Sequence, residues 1–379
     1  MIDKLYFRSK QKSMNKEDVL YTKVQFKKEF AKLMEKTSIL SNMPDAEIIK
    51  RYTELFSFVE PYIPNKLFRF RKCDINSIIS FEQNNIPVCA ASKFPDKYDS
   101  TVYYDHKTIL QRARNAYDQL MPNILLLLKS NPSAFPSNPI TSKILELTHS
   151  SKSDEDILEL MWPEFEKMQS DWREHITKQE QWPRANKTTK IACFTETVKS
   201  KFMWDSYADG YTGFALEYDF RGWRSLSISN HAVLLFPVIY SSQKMDATEM
   251  IERLGGQNSM DYFNVSEDIK KQYAATVPID RLYFQKIYLY KDKAEYSHEK
   301  EWRLLDMEYI NSPEANEDFF AIDDANSLKA IYYGPEMNLL YKAHLRSIAK
   351  QKGIREYDVV LDIDSKKYSL RIVPLGNNR

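Results

Sequence analysis

Apolar residues recur at helical intervals early in the chain and at alternate positions further on. Asn15 precedes Lys16, Glu17 and Asp18 as a helix cap with acid in the first turn, and Val19, Phe26, Phe30 and Leu33 follow at steps of seven, four and three. That is the spacing of one helix face, so residues 15–60 read as mostly helical. A second helix is predicted from Asp45, with Ile48, Ile49, Tyr52, Leu55 and Phe56 as its apolar side and Pro61 and Pro64 as its end. At 66–71 the period drops to two, with Leu67, Arg69 and Arg71 on one side and Phe68 and Phe70 on the other, which predicts a strand.

Residues 74–82 read as a short helix buried on Ile75, Ile78 and Ile79, and 86–91 as another strand. A long helical stretch over 101–187 is broken at 131–139 by three prolines. Strands are predicted at 190–195, 212–218, 233–240, 301–309 and 328–333, and β-rich composition at 283–291. A helical segment at 246–275 is interrupted by Gly255-Gly256, and a helix at 340–352 is stopped by Gly353. Strands at 356–362 and 367–374 close the chain. The class is α+β with a mixed sheet. The organisation predicted is a helical N-terminal extension over 1–65, an α+β domain over 66–100 and 188–379, and a large helical insertion over 101–187.

Composition narrows the chemistry. The 379 residues include only 8 glycines, and neither G-x-G-x-x-G nor G-x-x-x-x-G-K-[ST] occurs, which excludes the Gly-rich phosphate loops of Rossmann and P-loop proteins. Lys and Arg number 54 against 53 Asp and Glu, so net charge supplies no long-range pull toward nucleic acid. Three separated cysteines give neither a C-x-x-C zinc site nor a disulfide framework, and no apolar run is long enough to cross a bilayer. A cytoplasmic protein without a membrane segment is expected. The 6 histidines include no H-E-x-x-H, and no G-x-S-x-G elbow exists, so no metal is expected and hydrolases of those kinds are unsupported.

Three segments carry candidate chemistry. Arg69 and Arg71 share one face of a strand and can hold a phosphate-bearing ligand by paired forks, and Ser92 follows a later strand where a hydroxyl could meet a ribose. The plainer reading is a solvated edge and a turn cap. Around 191–220, Thr195 ends a strand, and Trp204 and Tyr207 lie one turn apart, so their rings could share a cleft and stack on a planar base. The plainer reading is core aromatics with a satisfied polar tip. In Ser297-His298-Glu299-Lys300-Glu301-Trp302-Arg303, an extended backbone would point Glu299 and Glu301 to the same side. Paired carboxylates need a compensating cation, proton or ligand, and they suit the oxocarbenium-like transition state of ribose–nicotinamide cleavage. Alternatively, the segment is a surface strand laced by Lys300 and Arg303.

These motifs occur in order: the paired arginines, S-K-F-P-D-K-Y-D, C-F-T-E…M-W-D-S-Y-A-D-G-Y-T-G-F-A-L-E-Y, Y-S-H-E-K-E-W-R and A-I-Y-Y-G-P-E-M. Together they resemble a bacterial domain-of-unknown-function family, number twenty-nine seventy-one, over 66–100 and 190–374. One departure lies at 94–99, where the family usually has F-N-D-P-F-D and this chain has F-P-D-K-Y-D. A weaker resemblance is to the Arg–Ser–Glu pattern of the ADP-ribosyltransferase superfamily, and it implies that superfamily's fold for the sheet core. It further implies NAD as substrate without a metal, Arg69 or Arg71 near the pyrophosphate, and Ser92 or Thr195 bracing the ribose. Glu301 would be catalytic with Glu299 as its partner, and nicotinamide would stack on Tyr207 or Trp204. The function implied is an effector of the toxin or phage-defence type that modifies a nucleic acid or protein, with a neutralising protein as a further partner. The alternatives are a non-enzymatic module recognising nucleic acid or protein, and a metal-independent nuclease.

Overall fold

The computed structural model describes residues 21–135, 138–178, 189–221, 226–228, 231–262, 266–308, 319–323 and 326–376. The expected cap at Asn15 lies outside them. Thr22 instead caps α1 (Lys23–Lys36) through a reciprocal pair with Gln25, and Phe26, Phe30 and Met34 form its buried stripe. In α2 (Asp45–Val59), Asp45 and Glu47 meet the positive end of the helix, and Pro61 follows in a 3-10 turn. After β1 (Leu67–Arg71), Asp74 caps α3 (Ile75–Glu82). Here the expected stripe is corrected. Ile75 and Ile79 are exposed, while Ile78 and Phe81 are buried, because the larger Phe81 ring packs on Phe214 and sets the inner face.

Next come β2 (Asn85–Ala90), β3 (Val102–Tyr103), and the helices α4 (His106–Ser130), α5 (Pro139–Thr148) and α6 (Asp154–Lys178). These three helices close around a cluster of their own that includes Tyr117, Leu125, Ile140, Ile144, Ile157 and Met161. The chain then forms β4 (Thr189–Thr195), α7 (Lys201–Tyr207), β5 (Phe214–Tyr218), β6 (Leu226–Ile228), β7 (His231–Pro237), β8 (Ile239–Ser241) and β9 (Met245–Asp246). The expected break at Gly255-Gly256 is absent, and α8 (Thr248–Tyr262) runs through both glycines. Gly256 is needed for packing: a Cβ there would collide with the Tyr273 hydroxyl of α9 (Glu267–Thr276).

The expected strand over 283–291 also needs correction. It is α10 (Tyr283–Lys286), a 3-10 turn over Ile287–Leu289, and only then β10 (Tyr290–Asp292). Ile287, Tyr288 and Leu289 are buried in succession, which an alternating strand with one wet face cannot achieve. After α11 (Lys293–Tyr296) come β11 (Glu301–Glu308), β12 (Phe319–Asp323), which the sequence did not signal, and β13 (Leu328–Tyr333). Gly353, at φ 64°, ends α12 (Leu339–Lys352), and β14 (Arg355–Leu361) and β15 (Leu370–Pro374) complete the fold.

The class is α+β around a mixed sheet in the order β15-β14-β13-β5-β1-β4-β11-β7-β6. Strand β4 is its branch point. One edge pairs with β11 from Thr195 opposite Glu301 to Thr189 opposite Met307. The other edge meets β1 where Phe68 faces Thr195, and β2 where Cys89 and Ala90 face Ile191 and Lys190. Strand β12 then pairs with β2.

Register decides which side chains can meet. Opposed residues share a face and neighbours alternate. Phe68, Thr195 and Glu301 are opposed across β1, β4 and β11, so they share a face with Phe70, Cys193 and Arg303. Arg69, Arg71, Phe194 and Trp302 project from the other. Phe68, Phe70, Trp204, Ala215 and Tyr332 build a core on the first face. On the second, α1 and α2 join the main core, with Phe26 stacked on Trp302 at 6.3 Å between ring centres.

Candidate functional site

The first residues of β11 enter from an unusual turn. Ser297–Glu299 forms a 3-10 turn, and Lys300 takes left-handed dihedrals (φ 49°, ψ 49°) that a non-glycine residue rarely adopts. The expected extended stretch is therefore absent. Glu299 and Glu301 still converge, because the reversal at Lys300 turns both carboxylates onto one ammonium: Lys291 Nζ on β10 is 2.6 Å from Glu299 Oε2 and 3.0 Å from Glu301 Oε2.

Arg303, two residues further along β11, shares the face of Glu301. Its Nε donates to Glu301 Oε1 at 2.8 Å, and Nη1 donates to Asp99 Oδ1 and to the Tyr288 carbonyl, both at 2.8 Å. Nη2 donates to the second oxygen of Asp99 and to Glu301 Oε2. All five guanidinium hydrogens are thus used, and the side chain is fully buried. Aromatic rings cover both cations, with Tyr296 over Lys291 at 4.3 Å and Phe94 over Arg303 at 5.4 Å. Asp99 arrives from the loop at 94–99, where its Oδ1 also accepts from Ser100 Oγ at 2.8 Å. Formal charge balances to −1, from Asp99, Glu299 and Glu301 against Lys291 and Arg303.

The two glutamates differ electrostatically. Burial acts to raise the Glu301 carboxyl, but Arg303 and Lys291 outweigh it and bring it to about 2. Glu299 is raised, by burial first and then by Glu301, against the pull of Lys291. Lys291 is raised because Glu301, Glu299 and Asp99 outweigh burial. Burial pushes the Cys193 thiol far up, so beside Glu301 it stays a neutral thiol and not a nucleophile.

A pH dependence of stability follows. Glu301 is depressed in the fold, so its contribution is complete above the usual carboxylate value of 4.5 and is lost as pH falls toward 2. Glu299, raised, works in the opposite sense and contributes most when protonated. We expect unfolding free energy to fall below about pH 4.5 in wild type and to fall less steeply in Glu301→Gln, as measured by urea unfolding across pH 2–6. Equal slopes in the two proteins would contradict it.

The other candidate residues divide. Thr195 belongs here: it is buried at the end of β4, and its Oγ1 donates to the Glu299 carbonyl at 2.5 Å. Tyr207, half-buried at the end of α7, donates to Glu299 Oε1 at 3.0 Å. Trp204 is instead a core residue, fully buried, with Nε1 donating to the Val198 carbonyl at 2.7 Å and its ring against Phe70. Ser92 sits in the 3-10 turn after β2 and, among the described residues, makes no hydrogen bond to the carboxylates. Arg69 and Arg71 lie on the opposite side of the sheet from Glu301. The single cleft expected between those arginines and Glu301 is therefore not built, because the pleat of β1 aims them away. Sequence pattern alone does not mark Lys291 or Asp99, and Arg303, expected as surface lacing in the plainer reading, is buried. Lys291, alone among aromatics in Tyr288-Leu289-Tyr290-Lys291, was the available signal.

Most of the network lies between α7 and β11. Residues 203–304 match a family described as a protein of unknown function (DUF2971). The matched stretch carries Tyr207, Lys291, Glu299, Glu301 and Arg303, and leaves Asp99 and Thr195 outside. It supports the resemblance to that family over a narrower span than the ordered motifs, and nothing supports the resemblance to ADP-ribosyltransferases. No curated protein and no solved structure matches the chain. Among the described residues, no helix is long and apolar enough to cross a membrane, and no group of three or more His, Cys, Asp or Glu is arranged to hold a metal ion.

Proposed function

We propose that the chain is an enzyme acting on the glycosidic bond of a nucleotide, NAD in the first instance, with Glu299 rather than Glu301 handling the proton. The observation that carries this reading is the division within the carboxylate pair. One carboxyl held high beside another held low is the arrangement by which acid–base sites separate their roles. Glu299 is also the carboxylate linked outward. Its Oε1 meets Tyr207, whose ring centre is 6.3 Å from that of the exposed Phe202, and Phe202 packs edge-on against the exposed His298 at 4.6 Å. Lys201 stands beside Phe202 on α7, with Asp205 the acidic group on the same helix. Aromatic rings leading outward from a buried acid suit a planar base.

In the proposed reaction the C1′–N bond breaks and its electron pair leaves on the nicotinamide nitrogen. Positive charge grows at C1′, opposite carboxylates already fixed by Lys291 and Arg303, so little reorganisation is needed. Water or an acceptor nucleophile bonds to C1′ and gives its proton to Glu299. An acceptor on a nucleic acid or protein would make the reaction ADP-ribosyl transfer, the chemistry of a toxin or phage-defence effector.

Nicotinamide release from NAD is the test. Glu299→Gln keeps the shape and removes the titrating group, and is expected to lower turnover about 10²–10⁴-fold in a variant that still folds and unfolds cooperatively. Wild-type turnover in that variant, or no nicotinamide release and no NAD-induced thermal shift in the natural chain, would overturn the reading. A recognition module is the second reading, favoured by the complete use of Arg303's donors within the network. It predicts steeply salt-dependent binding of RNA or DNA that Glu299→Gln leaves intact.

A further inference from the structure

The arginines that the sheet separates from the carboxylates are left without counter-ions. Arg69 and Arg71 stand two residues apart on one face of β1, about 7 Å along the strand. Among the described residues, neither is ion-paired or donates a hydrogen bond, and Arg69 Nη1 is buried with no partner. Its guanidinium lies over the Phe194 ring, 5.8 Å from the ring centre. Burial first, and Arg69 second, lower Arg71 to about 10. Tyr218 and then Asp74, whose carboxylate also caps α3 through Ser77 N at 2.8 Å, act the other way but are outweighed.

Desolvating one cation without a partner is unfavourable, and setting a second beside it adds repulsion. The buried cations Lys291 and Arg303 are answered by carboxylates, whereas among the described residues these two half-buried arginines have no ion pair. We propose that Arg69 and Arg71 bind the phosphate group of a small ligand on the side of the sheet opposite Glu299 and Glu301. Two planar forks at that separation can close on the oxygens of one phosphate. On the neighbouring strand, Leu216 lies opposite Arg69 and Phe214 opposite Arg71. Since the two guanidinium groups would recognise the phosphate oxygens alone, the ligand class is phosphate, free or as a simple ester.

Thermal unfolding of the full chain with inorganic phosphate, against chloride at equal ionic strength, tests the proposal. Wild type should show a saturable rise of roughly 5 °C, lost in Arg69→Gln and in Arg71→Gln and kept in Glu299→Gln. The last variant separates this site from the glycosidic one, so either proposal can fail alone. Ribose 5-phosphate acting at lower concentration than phosphate would identify an ester, and equal potency would identify the free anion. If either arginine variant does not fold, phosphate should protect Arg69 and Arg71 of wild type from phenylglyoxal, read by peptide mass. No rise in wild type, a rise that persists in both variants, or unprotected arginines would overturn the proposal.

Discussion

Replacing Arg303 with methionine is expected to destabilise the fold by about 3–5 kcal/mol, a large share of the stability of a typical domain. Methionine fills much of the volume, so the loss is electrostatic and not a cavity. Asp99 loses both guanidinium bonds, Glu301 loses two, and the buried Tyr288 carbonyl loses its Arg303 donor. Water cannot replace them at a site where Arg303, Glu301 and Asp99 are all buried. Arg303→Lys restores the charge but offers three hydrogens in place of five and no planar fork, so it should recover only part of the loss. Urea unfolding of the three proteins at neutral pH decides the matter. A methionine variant within 1 kcal/mol or so of wild type would show that the network contributes little.

Lys291→Met should have a similar effect, about 3–5 kcal/mol at pH 8, but with a different pH signature. The ammonium is the bridge between Glu299 and Glu301, and without it two buried carboxylates face each other. Glu299, already raised, takes the proton more readily than Glu301, which Arg303 still holds ionised. The folded form of the variant then binds a proton that the unfolded form releases, so its stability recovers as pH falls toward 5 and declines as pH rises. A stability deficit that stays constant from pH 5 to 8 would refute this account. The double variant with Arg303→Met should fall short of the sum of the two losses, since both cations serve Glu301.

Much of the scaffold was legible in the sequence, because short strands with alternating residues and a glycine stop are local signals. The alternation at Leu67–Arg71 and Gly353 at the end of α12 are of this kind. The stretch at 283–291 was not, since its apolar content resembles a strand while burial of three successive side chains depends on neighbours distant in sequence. The pairing of Glu299 with Glu301 was anticipated, though on the wrong backbone, because nothing local marks Lys300 as left-handed. The separation of Arg69 from Glu301 depends on register across β1, β4 and β11. A slip of one residue would have reversed it, and no single segment encodes that choice.

The stacking of Phe26 on Trp302 has a consequence for synthesis. Trp302 lies between Glu301 and Arg303, its indole donates to Glu196 at 3.0 Å, and the same carboxylate takes Lys23 and Lys27 from α1. Phe26 also stacks on Phe58 and Tyr62, which follow soon after it, but the Trp302 and Glu196 side of the seat is not complete until some three hundred residues have left the ribosome. Until then part of an amphipathic face waits uncovered, the situation in which a nascent chain is open to chaperones and to wrong associations. Completion of β11 would then do two things together, fastening the beginning of the polypeptide and assembling the acidic pair on the far side of the sheet.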